Sequence, residues 1–277
     1  MRYINFMING QHHLGLVDRD DVVSLGDLTL ESLLAQGVDL SIEPSNKGQR
    51  FKRSEITFLP PLTRPGKIVC VGLNYTDHTK ESNYDQPLHP TFFLRVNTSL
   101  TSHNGPIIRP LHSNSLDFEG ELAVIIGKGG KHIAAEDALA HVAGYSLFND
   151  GSVREFQFHT PQWTIGKNFD STGAFGPEFV TADELPAGCK GLKLETRLNG
   201  QVVQSANTSD MVFDVANQIA ILSQSITLEA GDLIVAGTPS GIGWARSPRL
   251  LMRHGDSVEV SIEKIGTLVN PIRDEQR

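Results

Sequence analysis

The sequence predicts an α+β fold that consists mostly of β-strands. From residue 67 onward short strand patterns dominate, helical patterns are few, and the strands do not alternate with helices as in a Rossmann fold or a barrel. Strands are predicted at residues 68–71, 91–96, 118–126, 142–148, 192–198, 233–236, 258–262 and 267–269. We therefore expect a mixed β architecture.

The first part of the chain predicts a small N-terminal domain with a linker at residues 1–62, followed by the main domain at 63–277. Residues 3–8 and 11–17 should pair as a hairpin, because Asn9 and Gly10 supply the positive φ that its turn requires. Leucines at helical spacing predict a helix at 27–36. The polar stretch 43–54 and the prolines after it are typical of a linker.

Within the main domain, apolar residues at helical spacing predict helices at 135–141 and 212–223. Asn199 and Gly200 predict a second hairpin turn, with 201–204 as the return strand.

The composition narrows the function classes. With 24 basic and 32 acidic residues the chain has a formal charge of -8, which argues against a nucleic-acid or anionic membrane surface as a partner. Cys70 and Cys189 make neither a disulfide framework nor a metal cluster. The N-terminus lacks a signal-peptide core, and no apolar run reaches the length of a membrane helix. We expect a soluble cytoplasmic protein.

The most informative segment is an acidic run that leads into an apolar strand. Asp117, Glu119 and Glu121 occupy alternate positions, and residues two apart on a strand share a face. Three like charges beside a core call for compensation, and Mg²⁺, Mn²⁺ or Ca²⁺ prefer carboxylate oxygens. A solvated acidic strand face is the alternative for this run taken alone.

Three other segments suit an active site. Asp150 ends an apolar strand, a common place for a metal ligand, although it can also form a turn or cap a helix. His78 and Glu81 touch if their segment is helical, which makes either a general base or a surface ion pair. Lys167 lies between a glycine and an aromatic residue, where it can face an anionic ligand or solvent.

Two glycine-rich loops do not indicate nucleotide binding. Residues 237–243 can offer backbone amides to a carboxylate, but their glycine order is not that of the dinucleotide fingerprint. Residues 127–131 lack the P-loop spacing.

Taken together and in this order, these segments resemble the fumarylacetoacetate hydrolase family. The resemblance covers residues 67–271, and the matching segments are 71–81, 117–122, 143–150, 163–170, 207–211 and 231–243. It implies a mixed β-sandwich or roll as the catalytic domain, commonly in a homodimer. It also implies one Mg²⁺ or Mn²⁺, with Ca²⁺ as a further possibility, held by the residues that match the family ligands: Glu119, Glu121 and Asp150.

The same resemblance implies catalytic roles for the His78 and Glu81 dyad, on a mobile lid, and for Lys167. The residues expected to bind substrate are Arg154, Gln157, Tyr75, Arg95 and Thr238. Arg95 and Gly151 depart from the usual family residues, and both adjoin the expected pocket.

The implied activity is hydrolysis of a carbon–carbon bond in a 1,3-diketone acid. The expected substrate is an acylpyruvate such as fumarylpyruvate or maleylpyruvate, cleaved to pyruvate and a carboxylic acid after His78 activates water. Decarboxylation of oxaloacetate, and hydratase or isomerase chemistry on related keto acids, stay open as alternatives. A non-catalytic keto-acid binding module is a further alternative, and the complete ligand set counts against it.

Overall fold

The computed structural model describes residues 1–45, 48–82 and 84–276. Its strands are β1 (Arg2–Ile8), β2 (Gln11–Asp18), β3 (Asp21–Ser24), β4 (Arg50–Lys52), β5 (Thr57–Phe58), β6 (Ile68–Gly72), β7 (Thr91–Arg95), β8 (Leu100–Ser102), β9 (Ile107–Arg109), β10 (Leu116–Asp117), β11 (Gly120–Ile126), β12 (Val142–Asp150), β13 (Ser152–Val153), β14 (Gly173–Thr181), β15 (Lys193–Leu198), β16 (Gln201–Asn207), β17 (Leu233–Val235), β18 (Ser257–Ile262) and β19 (Gly266–Asp274). Its helices are α1 (Leu30–Ala35), α2 (Thr76–Glu81), α3 (Arg154–Gln157), α4 (Thr164–Lys167) and α5 (Val215–Ser225). The predicted mostly-β class is confirmed.

One large sheet organises the molecule. Its path runs β4-β3-β2-β1-β14-β12-β11-β17-β6-β7, with β5 added to β1 and β8 added to β14. Most neighbours are antiparallel, but β17 is parallel to β6. The strands β11 and β12 therefore lie in the interior of the sheet, where both edges of each strand are hydrogen-bonded.

The large sheet is covered on both faces. Leu122 and Val124 of β11 belong to a core shared with the second sheet, ordered β16-β15-β18-β19-β9, whereas Ala123 and Ile125 belong to a core shared with the N-terminal strands and α1. This division follows from the strand geometry, because successive side chains point to opposite faces. Burial of both faces explains why β11 is almost continuously apolar.

The N-terminal segment adds strands to the large sheet. The predicted hairpin is confirmed as β1 and β2, and Asn9 and Gly10 have the expected positive φ values of 50° and 75°. The predicted linker at 43–54 was wrong in one respect, because it contains β4, which pairs with β3. Residues 46–47 of this stretch lie outside the described part. A domain boundary after residue 62 stays a prediction, and β1 pairs directly with β14 of the main domain.

The predicted helices are confirmed in part. The helix at 27–36 is the shorter α1, and the helix at 212–223 is α5. The helix predicted at 135–141 is shorter in the structure, where it is a 3-10 helix at Ala138–His141. None of the helices in the described part of the chain has the length and apolar character needed to cross a bilayer.

Gly120 lies directly against Thr196 of β15 in the second sheet. A Cβ atom there would lie 2.1 Å from the Thr196 hydroxyl oxygen. Gly120→Ala should therefore lower the free energy of unfolding by about 1–3 kcal/mol, as overpacking typically does, which urea denaturation measures. Adding Thr196→Ala removes the obstructing hydroxyl and should recover part of the loss. Equal unfolding midpoints for Gly120→Ala and the wild type would contradict this close approach.

Candidate active site

Three carboxylates from two neighbouring strands meet where β11 begins and β12 ends. Glu119 and Glu121 flank Gly120, the first residue of β11, and Asp150 is the last residue of β12. Strand pairing sets Gly120 opposite Asn149, and the Asp150 N–H donates to the Glu119 carbonyl at 2.9 Å. One oxygen of each carboxylate lies within 4.8 Å of the other two, and all three side chains are buried. The sheet register therefore assembles the acidic cluster.

Buried cations pair with two of the three carboxylates. The Lys167 Nζ lies 2.7 Å from Glu119 Oε2 and 2.7 Å from Asp150 Oδ2. The Arg154 Nη1 lies 2.6 Å from Glu119 Oε1, and Arg95 contacts Asp150 Oδ1. Burial alone would raise the pKa of Glu119, but Lys167 and Arg154 outweigh it and hold this pKa below its ordinary value.

Glu121 lacks such a cation. Within the described residues no lysine or arginine pairs with it, and its Oε2 accepts a hydrogen bond from the Gly237 N–H at 2.5 Å. Burial raises the pKa of Glu121 well above its ordinary value, and the neighbouring charges of Asp150 and Glu119 raise it further. A buried carboxylate without a counter-charge, next to two others that offer only oxygen atoms, is a donor set that fits a hard divalent cation.

Asp117 lies close to the cluster but serves another purpose. It was predicted to share one face of a continuous strand with the two glutamates; the structure instead places it in β10, which pairs with β13. Its oxygens accept hydrogen bonds from the backbone N–H groups of Gly243 and Trp244 at 2.9 Å, and it forms an ion pair with Arg154 at 2.9 Å. Asp117 therefore fixes the arginine and a cavity loop.

The dyad predicted from the sequence is formed in α2. His78 and Glu81 lie one turn apart, and the His78 Nδ1 lies 2.9 Å from Glu81 Oε1. Because a carboxylate only accepts hydrogen bonds, Nδ1 is the donor to Glu81, and in the neutral imidazole Nε2 is then the acceptor. The backbone N–H of Gly241 also donates to the Glu81 carboxylate at 2.9 and 3.0 Å. This contact holds the helix against the loop that follows β17.

A cavity of about 310 Å³ joins the dyad to the acidic cluster. Of the residues predicted to bind substrate, Arg154, Gln157 and Thr238 line it, as does Lys167. Arg154 donates to Gln157 Oε1 at 2.9 Å, and the Thr238 hydroxyl donates to the Gly120 carbonyl at 3.1 Å. The cavity is thus bounded by oriented polar groups.

Two of the predicted substrate-binding residues lie outside the cavity lining. Arg95 is buried behind Asp150, where its guanidinium also donates to the Thr172 hydroxyl at 2.8 Å. Tyr75 is buried before α2 and forms an isolated β-bridge with Met211. A substrate contact by either residue stays a prediction.

The sequence did not single out the side walls of the cavity. These include aromatic rings at Phe93, Phe158, Trp163 and Trp244, and a third cation, Arg249. Isolated aromatic residues in such a sequence are usually interpreted as core, and an arginine in a loop as solvated. The one available signal was the clustering of Trp244 and Arg249 just after the glycine-rich loop.

A family model described as fumarylacetoacetate (FAA) hydrolase C-terminal matches residues 67–273. The chain belongs to this enzyme family. The match spans β6 to β19 and contains every residue of the acidic cluster and the dyad.

Relatives within the family carry different activities in their names. The human mitochondrial oxaloacetate tautomerase is 46% identical over 222 residues, which are 79% of this chain and 70% of that protein. A fumarylacetoacetate hydrolase from psychrophilic Exiguobacterium antarcticum has a TM-score of 0.89 and 33% identity, covering 99% of this chain and all of the other. A 5-carboxymethyl-2-hydroxymuconate delta-isomerase from Mycobacterium smegmatis has a TM-score of 0.82 and 29% identity, with 99% of this chain and 100% of that one covered.

The unpaired state of Glu121 leads to a prediction about metal binding. Wild-type protein should gain thermal stability on addition of Mg²⁺ or Mn²⁺, by roughly 2.7 kcal/mol at one hundred times the dissociation constant. Glu121→Gln removes one ligand charge and should abolish most of this gain, which differential scanning calorimetry measures. Glu155→Gln, at an exposed carboxylate on α3, is the matched control. An equal metal-induced shift in Glu121→Gln and wild type would exclude Glu121 as a ligand.

The same residue predicts a pH dependence of the metal-free protein. Because the folded-state pKa of Glu121 is raised, its contribution to stability is full below its unfolded-state pKa and is lost as pH rises through the folded-state value. Metal-free wild type should therefore lose more stability than Glu121→Gln between acidic and alkaline pH, as urea unfolding at several pH values measures. Parallel stability curves for the two proteins would refute this.

His78 should not be a ligand of the metal. Its Nδ1 faces Glu81, and it lies outside the group of three carboxylates. His78→Ala should therefore keep the wild-type metal content, as elemental analysis after dialysis against Mn²⁺ measures. Loss of bound metal in this variant would make His78 a ligand instead.

Proposed function

We propose that the chain is a divalent-metal-dependent isomerase that interconverts the keto and enol forms of oxaloacetate. One observation carries the proposal: the His78 imidazole lines the same cavity as Glu119 and Glu121, two members of an acidic cluster suited to a cation. The human relative, an oxaloacetate tautomerase, supports oxaloacetate as the substrate.

The acidic cluster would hold the ion through Glu119, Glu121 and Asp150. We expect Mg²⁺ or Mn²⁺, because the donors are exclusively oxygen atoms. Bound there, the ion supplies a Lewis acid that polarises the 2-oxo group of the substrate. Lys167 and Arg154 line the cavity as well, and they neutralise Glu119 so that the cluster repels an anionic substrate less.

His78 would move the proton. Enolisation removes one proton from C3 of oxaloacetate and adds one to the oxygen on C2. The composition of the substrate is therefore unchanged. The His78 Nε2 accepts the C3 proton, while Glu81 holds Nδ1–H and stabilises the imidazolium. Since C3 and the oxygen share the carbon C2 as a neighbour, the same imidazole can return the proton to the oxygen.

Acylpyruvate hydrolysis, predicted from the sequence, is the second candidate. It is favoured by the solved structure of a fumarylacetoacetate hydrolase with 33% identity to this chain. The His78 and Glu81 dyad suits activation of water as well as removal of a C–H proton. Decarboxylation of oxaloacetate would use the same metal site without a base.

The three reactions are separable in one set of assays. Purified enzyme with Mg²⁺ should convert enol-oxaloacetate to the keto form, seen as loss of the ultraviolet absorbance of the enol, faster than it releases pyruvate from oxaloacetate or from fumarylpyruvate. His78→Ala should slow tautomerisation by about 10²- to 10⁴-fold, the usual contribution of a general base. Glu155→Gln serves again as the surface control.

Isotope exchange tests the proton transfer itself. In D₂O the wild type should catalyse deuterium incorporation at C3 of oxaloacetate, and His78→Ala should not. A higher kcat/KM for fumarylpyruvate cleavage than for tautomerisation would favour the hydrolase instead. Pyruvate release from oxaloacetate that outpaces tautomerisation and survives His78→Ala would favour the decarboxylase.

A further inference from the structure

We propose that Arg249, held over the ring of Trp244, binds the carboxylate of a dicarboxylic 2-oxo acid that lies farther from the metal. The proposal rests on the proposed function, because it assigns the second anionic end of that substrate. Arg249 and Trp244 lie outside the acidic cluster and the His78–Glu81 dyad.

Arg249 is the cavity cation that has no carboxylate partner. Three lysine or arginine side chains line the cavity. Lys167 and Arg154 are buried and form ion pairs with carboxylates of the acidic cluster. Among the described residues no aspartate or glutamate pairs with Arg249, so its charge is available to a ligand.

The position of Arg249 is built by the surrounding loop. Its guanidinium carbon lies 3.3 Å from the centre of the Trp244 ring, a cation–π contact. The backbone N–H of Trp244 is bonded to buried Asp117, and the Leu250 N–H donates to the Gly243 carbonyl at 3.0 Å. The loop is therefore anchored at both ends, and the stack orients the planar guanidinium whose edges suit a carboxylate.

The overall charge of the chain favours such a group. The chain has a formal charge of -8, so its average field repels a dianionic substrate. A cation held by the acidic cluster would attract one end of a dicarboxylic 2-oxo acid and would leave its second carboxylate outside the cluster. The cavity wall formed by Phe158, Trp244 and Arg249 then offers one cation among aromatic rings.

The test uses two ligands that differ only at the remote end. 2-Oxoglutarate and 2-oxopentanoate have equal chain lengths, with a carboxylate in the first where the second has a methyl group. Titration calorimetry with Mg²⁺-loaded protein should show that the wild type prefers 2-oxoglutarate. Arg249→Met should weaken 2-oxoglutarate binding on the order of tenfold, as expected for a charged hydrogen bond. It should leave 2-oxopentanoate binding unchanged.

Two further variants separate recognition from a structural role. Arg249→Lys keeps the charge and should retain most of the preference, although it loses the planar fork. Arg253→Met removes an exposed arginine outside the cavity lining and should match the wild type. Equal weakening of both ligands by Arg249→Met would show that Arg249 only supports the loop.

The outcomes distinguish this inference from the proposed function. An Arg249-dependent preference in a protein without tautomerase activity supports the anion site and overturns the proposed reaction. Tautomerase activity with a preference that Arg249→Met does not alter overturns the anion site alone. Failure of the metal-loaded wild type to bind 2-oxoglutarate more tightly than 2-oxopentanoate also overturns it.

Discussion

At the site, four buried carboxylates lie with three buried cations among the described residues, and this imbalance is the constraint on which the site depends. The carboxylates are those of Asp117, Glu119, Glu121 and Asp150, and removing an ion from water is costly unless it is paired. The pairing cations come from β7, α3 and α4, so three separate elements are drawn to one point. The deficit that remains falls on Glu121, and a divalent ion bound there would supply the missing positive charge.

The sequence revealed the acids of this site better than their partners. Glu119 and Glu121 stood out because they alternate ahead of an apolar strand, and Asp150 because it ends one. Their cations lie on other elements, and Arg95 is 55 residues away from Asp150, so no local spacing links them. The stack of Arg249 on Trp244 depends on how the loop folds back. Contacts of this kind follow from tertiary structure rather than from periodicity.

In the fold as well, strands with a clear pattern in their own residues were predictable, and strands defined by pairing with distant residues were not. The interior strands β11 and β12 were predictable, since strands buried on both faces are nearly continuous apolar runs. The equally central β14 was missed because Gly173, Gly176 and Pro177 interrupt its apolar pattern. The short strands β3 and β4 carry little signal of their own, and pairing with neighbours defines them.

Glu81 has a consequence for the order of events in a catalytic cycle. One carboxylate both orients the imidazole of His78 and accepts the hydrogen bonds from Gly241 that hold α2 against the cavity loop. Because both members of the dyad are on α2, any motion that lifts α2 away breaks the Gly241 contacts and moves the imidazole and its carboxylate out of the cavity together. His78 would therefore reach a bound keto acid only while α2 is closed, and a product would leave the open cavity without meeting the base.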